Sequence, residues 1–372
     1  MFHLMFGLPW LVVATRFLWP LPWPLAIKVL IALLLLVASQ YHYISRLSSG
    51  SVFAPELPRP LIIAFNLAMA ATILLAVFQI ALDLTALVLA LFKGRLPLVP
   101  PEVRYGLGAL AVVLSAYGVQ QALRVPPLKD IEVAIPGLPA AFDGYRLVQL
   151  TDLHISNLFP ATWARAVVER TNALDADLIV MTGDLIDGDV AHRARDVAPI
   201  ADLKARDGVY AISGNHEYFF DYDAWMRQYE ALKLSPLLNR HIVLRRGEAA
   251  LVIAGVTDRS AGRFGATPPD LGAALAGAPA GAPVILLDHQ PMDAARSAKK
   301  GIALQLSGHT HGGMVWGLDR IVARANNGFV SGFYRVGAMQ LYVNNGTALW
   351  PGFALRLGPA SELTRITLRP AR

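Results

Sequence analysis

The chain has 372 residues, of which 55% are hydrophobic and only 16% are charged, a balance more apolar than that of a typical soluble domain. This length and composition predict two structural units, one of them in a bilayer, and the lack of cysteine excludes disulfides and thiolate metal sites. The net charge of +6 is concentrated before residue 126, where eight Lys and Arg oppose three Asp and Glu; this favours membrane-flanking cations and excludes a nucleic-acid-binding surface.

Four apolar stretches predict about four transmembrane helices within residues 1–126. They cover residues 2–21, 25–44, 61–92 and 105–125. The second has the ~20 residues needed to cross a hydrocarbon core. Asp83 in the third is costly in lipid and must face protein or water. The first contains Pro9 and Arg16 and could instead be a signal-like or interfacial segment, but it has no small-residue cleavage site after a basic leader, so we favour a retained helix.

Short apolar runs separated by polar turns replace this pattern after residue 126. Each run has the length of a buried strand, and two stretches between them, TWARAVVERTNAL and YDAWMRQYEAL, are helix-like. This alternation predicts a layered α/β domain at residues 127–372. The Gly- and Ala-rich core PPDLGAALAG is expected to be a short helix within it. The strand-like runs are YRLVQLTD, DLIVMTGD, GVYAISGN, ALVIAGVTD, APVILLDH, IALQLSGH and QLYVNNG.

Polar residues follow five of these runs. They are therefore expected at the carboxyl ends of the strands, where the functional residues of α/β sheets usually lie. Asp152 and His154 stand two apart, and residues i and i+2 of an extended chain point to the same side, so both can reach one ion. Alone, each candidate has a structural explanation, such as helix capping for Asp184 or an internal hydrogen bond for His289. The residue Glu217, which follows His216, is expected to belong to a polar turn. The candidates are Asp152, His154, Asp184, Asn215, His216, His289, His309 and His311, with Asp187 one helical turn after Asp184.

Taken together, these residues predict a metal centre. Five of the nine histidines lie at the ends of predicted strands, and Asp, Asn and His ligands without Cys suit Mn, Fe or Zn. Seven ligands are too many for one tetrahedral site and about right for two divalent metal ions that share a carboxylate. The histidines outside this pattern, which we interpret as ordinary surface or interfacial residues, are His3, His42, His192 and His241.

Five motifs in chain order resemble the motif blocks of the calcineurin-like metallophosphoesterases: TDLH, GDLID, GNHE, DHQP and GHTHGG. The resemblance covers nearly all of residues 145–370, and the tail LYVNNGTALWPGFALRLGPASELTRITL is similar to that of a bacterial membrane-linked branch. It implies an α/β fold in which a layered β-sandwich is flanked by helices. It also implies a multi-pass protein of the bacterial cell membrane; four basic residues on one side of the helices against five on the other leave the side of the catalytic domain open.

The resemblance further implies a role for each candidate. One ion is bound by Asp152, His154, Asp184 and His311. Asp184 bridges to a second ion, whose other ligands are Asn215, His289 and His309. The catalytic residues are His216, which contacts the phosphate and protonates the leaving oxygen, and Asp187, which orients His216. Metal-activated hydroxide then attacks phosphorus.

These roles predict a membrane-anchored phosphohydrolase. Its expected partners are the bilayer and a phosphate ester, with a phosphodiester or pyrophosphate of a lipid-linked or envelope compound favoured, and its oligomeric state stays open. The sequence departs from the family at Met314, where Gln is frequent, and at Asn345, where Arg is frequent. An alternative, motivated by Asp83, is a membrane sensor or transport protein whose phosphoesterase-like domain only binds a ligand. A structural metal site is less favoured, because such sites are usually Cys-rich.

Overall fold

The computed structural model describes residues 2–371, which divide into two compact units. The helical unit contains the residues up to Ala122 together with Pro351–Leu355. The sheet unit contains Leu123–Trp350 and the residues from Arg356 onward. The proposed domain limits, 1–126 and 127–372, stay a prediction.

In the described part of the helical unit there are five α-helices and a π-helical turn, Val13–Leu18, that continues the first helix. Two of the described helices, α4 and α5, are long and apolar enough to cross a membrane. A third span is possible if α2 and α3, which meet at an angle of 51°, form one broken span. The count of about four stays a prediction. The helices are α1 (Phe2–Val12), α2 (Leu25–Ser39), α3 (Tyr41–Ser49), α4 (Arg59–Lys93) and α5 (Pro101–Leu123).

Asp83 belongs to a polar network within the helical unit. Its carboxylate accepts hydrogen bonds from Arg16 Nε at 3.1 Å and from Gln79 Nε2 at 2.8 Å. The Gln79 amide oxygen in turn accepts from Arg104 Nη1 at 2.7 Å. The carboxylate therefore faces protein donors, as expected for a charge in an apolar helix. The alternative of a transport or sensor function stays a prediction.

The segment Pro351–Leu355 packs among the helices of this unit. The Asn66 side chain donates to the Pro351 carbonyl at 3.0 Å and accepts from the Ala354 amide at 2.6 Å. The Tyr41 hydroxyl also donates to the Pro351 carbonyl, at 3.1 Å. Asn66 thus satisfies two backbone groups of a segment nearly 300 residues later in the chain.

Twelve strands form two six-stranded sheets in the described part of the sheet unit. All seven strand-like runs are strands, here β2, β3, β4, β7, β8, β9 and β11. The strands are β1 (Leu128–Ile135), β2 (Arg146–Leu150), β3 (Leu178–Thr182), β4 (Val209–Ile212), β5 (Ser235–Pro236), β6 (Arg240–Arg246), β7 (Ala249–Gly255), β8 (Val284–Leu287), β9 (Leu304–Ser307), β10 (Gly332–Val336), β11 (Met339–Val343) and β12 (Leu363–Pro370).

The two sheets pack face to face, which confirms the layered β-sandwich. The first has the order β1-β12-β2-β3-β4-β5 and the second β10-β11-β9-β8-β7-β6. Leu147 and Val180 of the first sheet share one buried cluster with Ile285 and Leu306 of the second. Burial of these aliphatic side chains is the main stabilising contribution of the sandwich.

Helices flank the sandwich. Every residue of β3 is buried, as expected for a strand covered on both faces. The outer face of the second sheet packs Leu286 and Leu341 against Ala274 and Ala294. The expected helices TWARAVVERTNAL, YDAWMRQYEAL and PPDLGAALAG are α6, α8 and α9. The helices are α6 (Ala161–Asn172), α7 (Val190–Val197), α8 (Tyr222–Ala231), α9 (Leu271–Leu275), α10 (Ala294–Ala298) and α11 (Leu318–Ala325).

Candidate metal centre

The candidate ligands follow parallel strands of both sheets. In the first sheet β2, β3 and β4 run parallel, and they are followed by the residues of TDLH, GDLID and GNHE. In the second sheet β8 and β9 run parallel, and they are followed by the residues of DHQP and GHTHGG. Because the carboxyl ends of parallel strands lie at one edge of a sheet, the topology brings all five motifs together.

Three groups of side chains at this edge are close enough to hold an ion, with ligand atoms within 4.8 Å of one another. Asp184 and His154 belong to two groups each, so the groups join into one cluster. Asn215 adjoins it, with its amide oxygen 3.2 Å from His289 Nε2. The groups are Asp152, His154 and His311; His154, Asp184 and His216; and Asp184, His289 and His309.

The rings of His289 and His311 are held so that Nε2 faces the cluster. Nδ1 of His289 lies 2.7 Å from the Thr182 carbonyl oxygen, and Nδ1 of His311 lies 3.2 Å from that of Ala348. A proton on Nδ1 that is donated to a carbonyl leaves a lone pair on Nε2. Nε2 of His154 and Nε2 of His311 approach to 3.2 Å, which places two such nitrogens side by side. This donor set fits a divalent metal ion.

Asp187 lies between two histidines. One of its carboxylate oxygens is 3.0 Å from Nδ1 of His154, and the other contacts Nδ1 of His216. Sequence analysis expected only the contact with His216. Both rings are therefore oriented by one buried carboxylate, and Nε2 of His216 lies 3.9 Å from an oxygen of Asp184.

The electrostatics of the cluster follow from burial and mutual attraction. Burial raises the pKa of Asp184, but the neighbouring His289 and His216 outweigh it and hold the pKa well below its usual range. Burial lowers the pKa of His216, but Asp184 and Asp187 raise it to about 9. Burial, together with His289, lowers the pKa of His309 to about 3. The His309 ring is thus neutral, the form that binds a metal.

The backbone at the cluster is unusual. Among residues 2–371, ten non-glycine residues have a positive φ, and five of them are candidate ligands. A non-glycine residue in this region costs of order 1 kcal/mol or more and persists where the surroundings enforce it, commonly at functional sites. The five residues and their φ angles are Asp152 (51°), His154 (45°), Asp184 (53°), His309 (70°) and His311 (49°).

Glu217 is a structural residue of the centre to which sequence analysis gave no role beyond a polar turn. Its buried carboxylate accepts hydrogen bonds from the backbone amides of Leu185 at 2.7 Å and Gly214 at 2.6 Å, and from the Tyr229 hydroxyl at 2.7 Å. It also accepts from the Asp184 amide at 3.2 Å. Glu217 therefore joins the loops after β3 and β4. A signal was available in the sequence, since an acidic residue directly follows His216.

Asn345 and Arg356 support the loop that carries His311. The Asn345 amide donates to the Ala360 carbonyl at 3.2 Å, and its oxygen accepts from the Ser331 hydroxyl at 2.6 Å. The buried Arg356 guanidinium donates to the carbonyls of His311 at 2.5 Å and Asn345 at 3.0 Å. Asn345, one of the two departures from the family pattern, thus serves the packing of the tail.

Comparisons with known proteins return a family model and several relatives. The family model "Calcineurin-like phosphoesterase" matches residues 145–313. The "Transmembrane protein with metallophosphoesterase domain" of Danio rerio is 33% identical over 271 residues, which are 70% of this chain and 62% of that protein. The chain therefore spans less than two thirds of that relative. The uncharacterized metallophosphoesterase YkuE of Bacillus subtilis (strain 168) is 30% identical over 276 residues, covering 70% of this chain and 94% of that protein.

Among solved structures, the 5'-nucleotidase precursor from Thermus thermophilus is similar, with a TM-score of 0.38 and 14% identity. The similarity covers 60% of this chain and 54% of that chain.

Proposed function

Because the chain belongs to the calcineurin-like phosphoesterase family, we propose that it is a membrane-anchored, metal-dependent phosphohydrolase. The bonds that it cleaves are phosphodiester or pyrophosphate bonds of a lipid-linked or envelope compound. Two divalent ions, drawn from Mn, Fe and Zn, serve the reaction. The observation that carries this proposal is the cluster of three His and Asp groups joined through His154 and Asp184.

The ligand assignment is part of the proposal. Asp152, His154, Asp184 and His311 would hold one ion, and Asp184, Asn215, His289 and His309 the other. Asp184 suits the shared position because a carboxylate has two oxygens and because its side chain is near both sets, 3.9 Å from His154 Nε2 and 3.3 Å from His289 Nε2. The neutral amide of Asn215 supplies an oxygen without further negative charge, which limits repulsion of an anionic phosphate.

Bound ions of this kind supply Lewis-acid chemistry that polarises phosphate oxygens and activates water. The chain's own residues supply the proton and its orientation. Asp187 engages Nδ1 of His216, so Nε2 is the atom that would give a proton to the leaving oxygen. Asp187 also contacts His154, so one carboxylate positions a proton donor and a ligand together.

A lipid-linked substrate is supported by the helical unit and by the word "transmembrane" in the name of the Danio rerio relative. Helices that cross a bilayer keep the enzyme at the membrane, where phosphorylated lipids are concentrated. Simple anchoring is the competing role of these helices, and a separate experiment on the substrate class distinguishes the two roles.

The enzyme activity is tested with the full chain in detergent, Mn²⁺ and bis(p-nitrophenyl) phosphate. Asp184→Asn is the preferred variant because Asn tolerates the positive φ of this position while removing the negative charge. The matched control is Asp189→Asn, since the exposed Asp189 caps α7 and Asn caps equally well. We expect Asp184→Asn to lose roughly 100-fold or more in rate, since even changes behind the ligands commonly cost 10–100-fold. Absence of hydrolysis by the wild type, or equal rates for the two variants, would refute the proposal.

The substrate class is tested by comparing a lipid diphosphate in nanodiscs with the same headgroup lacking its acyl chains. A panel of envelope lipid phosphates incubated with membranes that carry the wild type or Asp184→Asn identifies which ester is cut. Preference for the acylated compounds supports the lipid-linked substrate. Equal cleavage of the acylated and the acyl-free compound would leave the helices as an anchor alone.

A further inference from the structure

Helix α11 lies in the sheet unit, shortly after the GHTHGG motif, and it is strongly amphipathic. In its sequence LDRIVARA, the positions of Leu318, Ile321, Val322 and Ala325 fall on one face by the i, i+3, i+4, i+7 rule. Arg320 and Arg324, one helical turn apart, lie on another face. The helix therefore separates apolar from cationic side chains.

The apolar face of α11 does not enter the core. A helix with such a pattern in a soluble domain normally buries its apolar stripe. In α11 each residue is exposed or half-buried, and Ile321 is 63% exposed. Trp316, two residues before the helix, is 73% exposed. We call Trp316 and the apolar face the α11 surface; its water-exposed groups are those that a partner would cover.

The charges beside this surface favour an anionic partner. Arg320 and Arg324 are exposed. The acidic residue of the helix, Asp319, is engaged locally, because its side chain accepts a hydrogen bond from the Gly317 amide at 2.7 Å. Tryptophan and aliphatic side chains on one face, with arginines beside them, are typical of helices that lie in the interface of a membrane. Arginines in this position attract the headgroups of anionic lipids.

We propose that the α11 surface docks on a bilayer that contains anionic phospholipid. Trp316 and Ile321 enter the boundary between headgroups and acyl chains, and Arg320 and Arg324 contact lipid phosphates. The chain itself carries helices able to cross a membrane, and for this reason a bilayer is the occupant that we assign to this surface. The inference concerns a surface and holds whichever phosphate ester is cleaved.

The docked helix would be coupled to the metal centre through direct packing. Gly313 ends the 3-10 turn His311–Gly313, and a Cβ added at Gly313 would collide with the Cα of Asp319. The first turn of α11 thus lies against the loop that carries His311, with no room for a side chain between them. Docking of α11 therefore holds this loop of the centre at the lipid surface.

The absence of native cysteine gives a direct test, since a single introduced cysteine can be labelled in the full chain. Ile321→Cys carries an NBD fluorophore, and the protein is placed in nanodiscs of phosphatidylcholine and phosphatidylglycerol with or without doxyl-labelled lipid. The matched control is Glu248→Cys, exposed in the turn before β7, at the opposite end of the second sheet from the metal centre. We expect blue-shifted NBD emission at position 321 and about twofold or greater quenching by the doxyl lipid, with neither at position 248.

A second variant tests the charges. Arg320→Gln with Arg324→Gln, in the Ile321→Cys background, should weaken quenching, and so should phosphatidylglycerol-free nanodiscs or high salt. Unshifted, unquenched emission at position 321 would overturn the proposal. Blue-shifted emission without doxyl quenching would also overturn it, since a protein surface would then cover the helix. Hydrolysis of bis(p-nitrophenyl) phosphate by the same samples separates the two proposals. If position 321 is not quenched but the protein hydrolyses the substrate, membrane docking alone is refuted. If position 321 is quenched but the protein does not hydrolyse the substrate, the proposed function alone is refuted.

Discussion

Glu217 is a residue that joins two loops of the candidate metal centre. Its carboxylate accepts from four donors, three of them backbone amides of the loops after β3 and β4. A carboxylate offers only acceptors, which matches this environment, whereas an amide would turn an N–H group towards other donors. The position is therefore specific for an acid.

We predict that Glu217→Gln lowers the free energy of unfolding by about 1–3 kcal/mol, since it leaves buried donors unsatisfied. Activity should fall as well, because the backbone amide of Asp184 loses its acceptor. Thermal unfolding in detergent and the bis(p-nitrophenyl) phosphate assay measure the two effects. Glu230→Gln, an exposed glutamate on α8, is the control and should change neither. Unchanged stability of Glu217→Gln would show that the carboxylate is not required.

Gly308 is a second position that requires its own residue type, because neighbouring atoms lie too close to it for a side chain. A Cβ at this position would collide with Thr151 Oγ1 and with Asp152 Oδ2. Asp152 also accepts a hydrogen bond from the His309 backbone amide at 3.1 Å. The backbone of the loop after β9 therefore packs directly against side chains of the loop after β2.

We therefore predict that Gly308→Ala displaces the Asp152 carboxylate and reduces bound metal and activity by about 10–100-fold, the range found for changes beside a metal ligand. Metal content of the purified protein and the rate against Mn²⁺ concentration provide the measurement. Gly262→Ala, where an added Cβ meets open space, is the matched control. Full metal content in Gly308→Ala would contradict the prediction.

At the residue scale, the sequence predicted which residues lie together at the strand ends. It did not predict the backbone conformation of those residues. The five motifs in order were sufficient to place Asp152, His154, Asp184 and the later candidates at strand ends. The positive φ of Asp184 and its neighbours was not predictable, because tertiary packing imposes it against local preference. The second contact of Asp187, with His154, likewise depends on how β2 and β3 pair.

At the scale of elements, the strands that the sequence revealed are those buried on both faces. β3, with every residue buried, reads as a continuous apolar run. β1 and β12 escaped notice because they are partly exposed, and because they pair with each other from opposite ends of the sheet unit, Leu128 opposite Leu363. Long-range pairing leaves no local signal.

The apolar stretch 25–44 shows the same limit. It was expected to be one span, but α2 ends at Ser39, and Gln40 starts a bend of 51° into α3. Gln40 has φ −94° and ψ 14°, outside the helical region, and the residues of α3 are much more polar than those of α2. Length and average hydropathy predict a span without revealing a break of this kind.

The network around Asp83 links α4, α5 and the π-helical turn, and it gives a prediction for the helical unit. Asp83→Leu leaves Arg16 without its carboxylate and Gln79 without its acceptor. The pair is partly exposed, so we expect a loss between the roughly 0–1 kcal/mol of exposed pairs and the roughly 3–5 kcal/mol of buried ones. Thermal stability in detergent is the measurement, with the exposed Leu84→Ala as control. A stability equal to that of the wild type would show that the network is dispensable.

At the scale of the whole molecule, the metal centre concentrates buried ionisable groups that an ion would balance. We predict that EDTA abolishes hydrolysis and lowers the thermal midpoint, and that Mn²⁺ restores both. An ion at 100 times its Kd stabilises the folded state by about 2.7 kcal/mol through mass action. The Asp184→Asn protein should respond less to EDTA, which provides the control. A midpoint insensitive to EDTA in the wild type would contradict metal binding as a source of stability.

The segment Pro351–Leu355 has a practical meaning for work on this protein. It is encoded late in the chain yet belongs with the amino-terminal helices, where Asn66 and Tyr41 satisfy its backbone. A truncated protein starting after Ala122 would keep this apolar segment and lose the side chains that engage it. Such a truncation is expected to be prone to aggregation unless Pro351–Leu355 is replaced by a polar loop. Deleting the amino-terminal helices therefore changes the surroundings of Pro351–Leu355 as well as removing the membrane-spanning candidates.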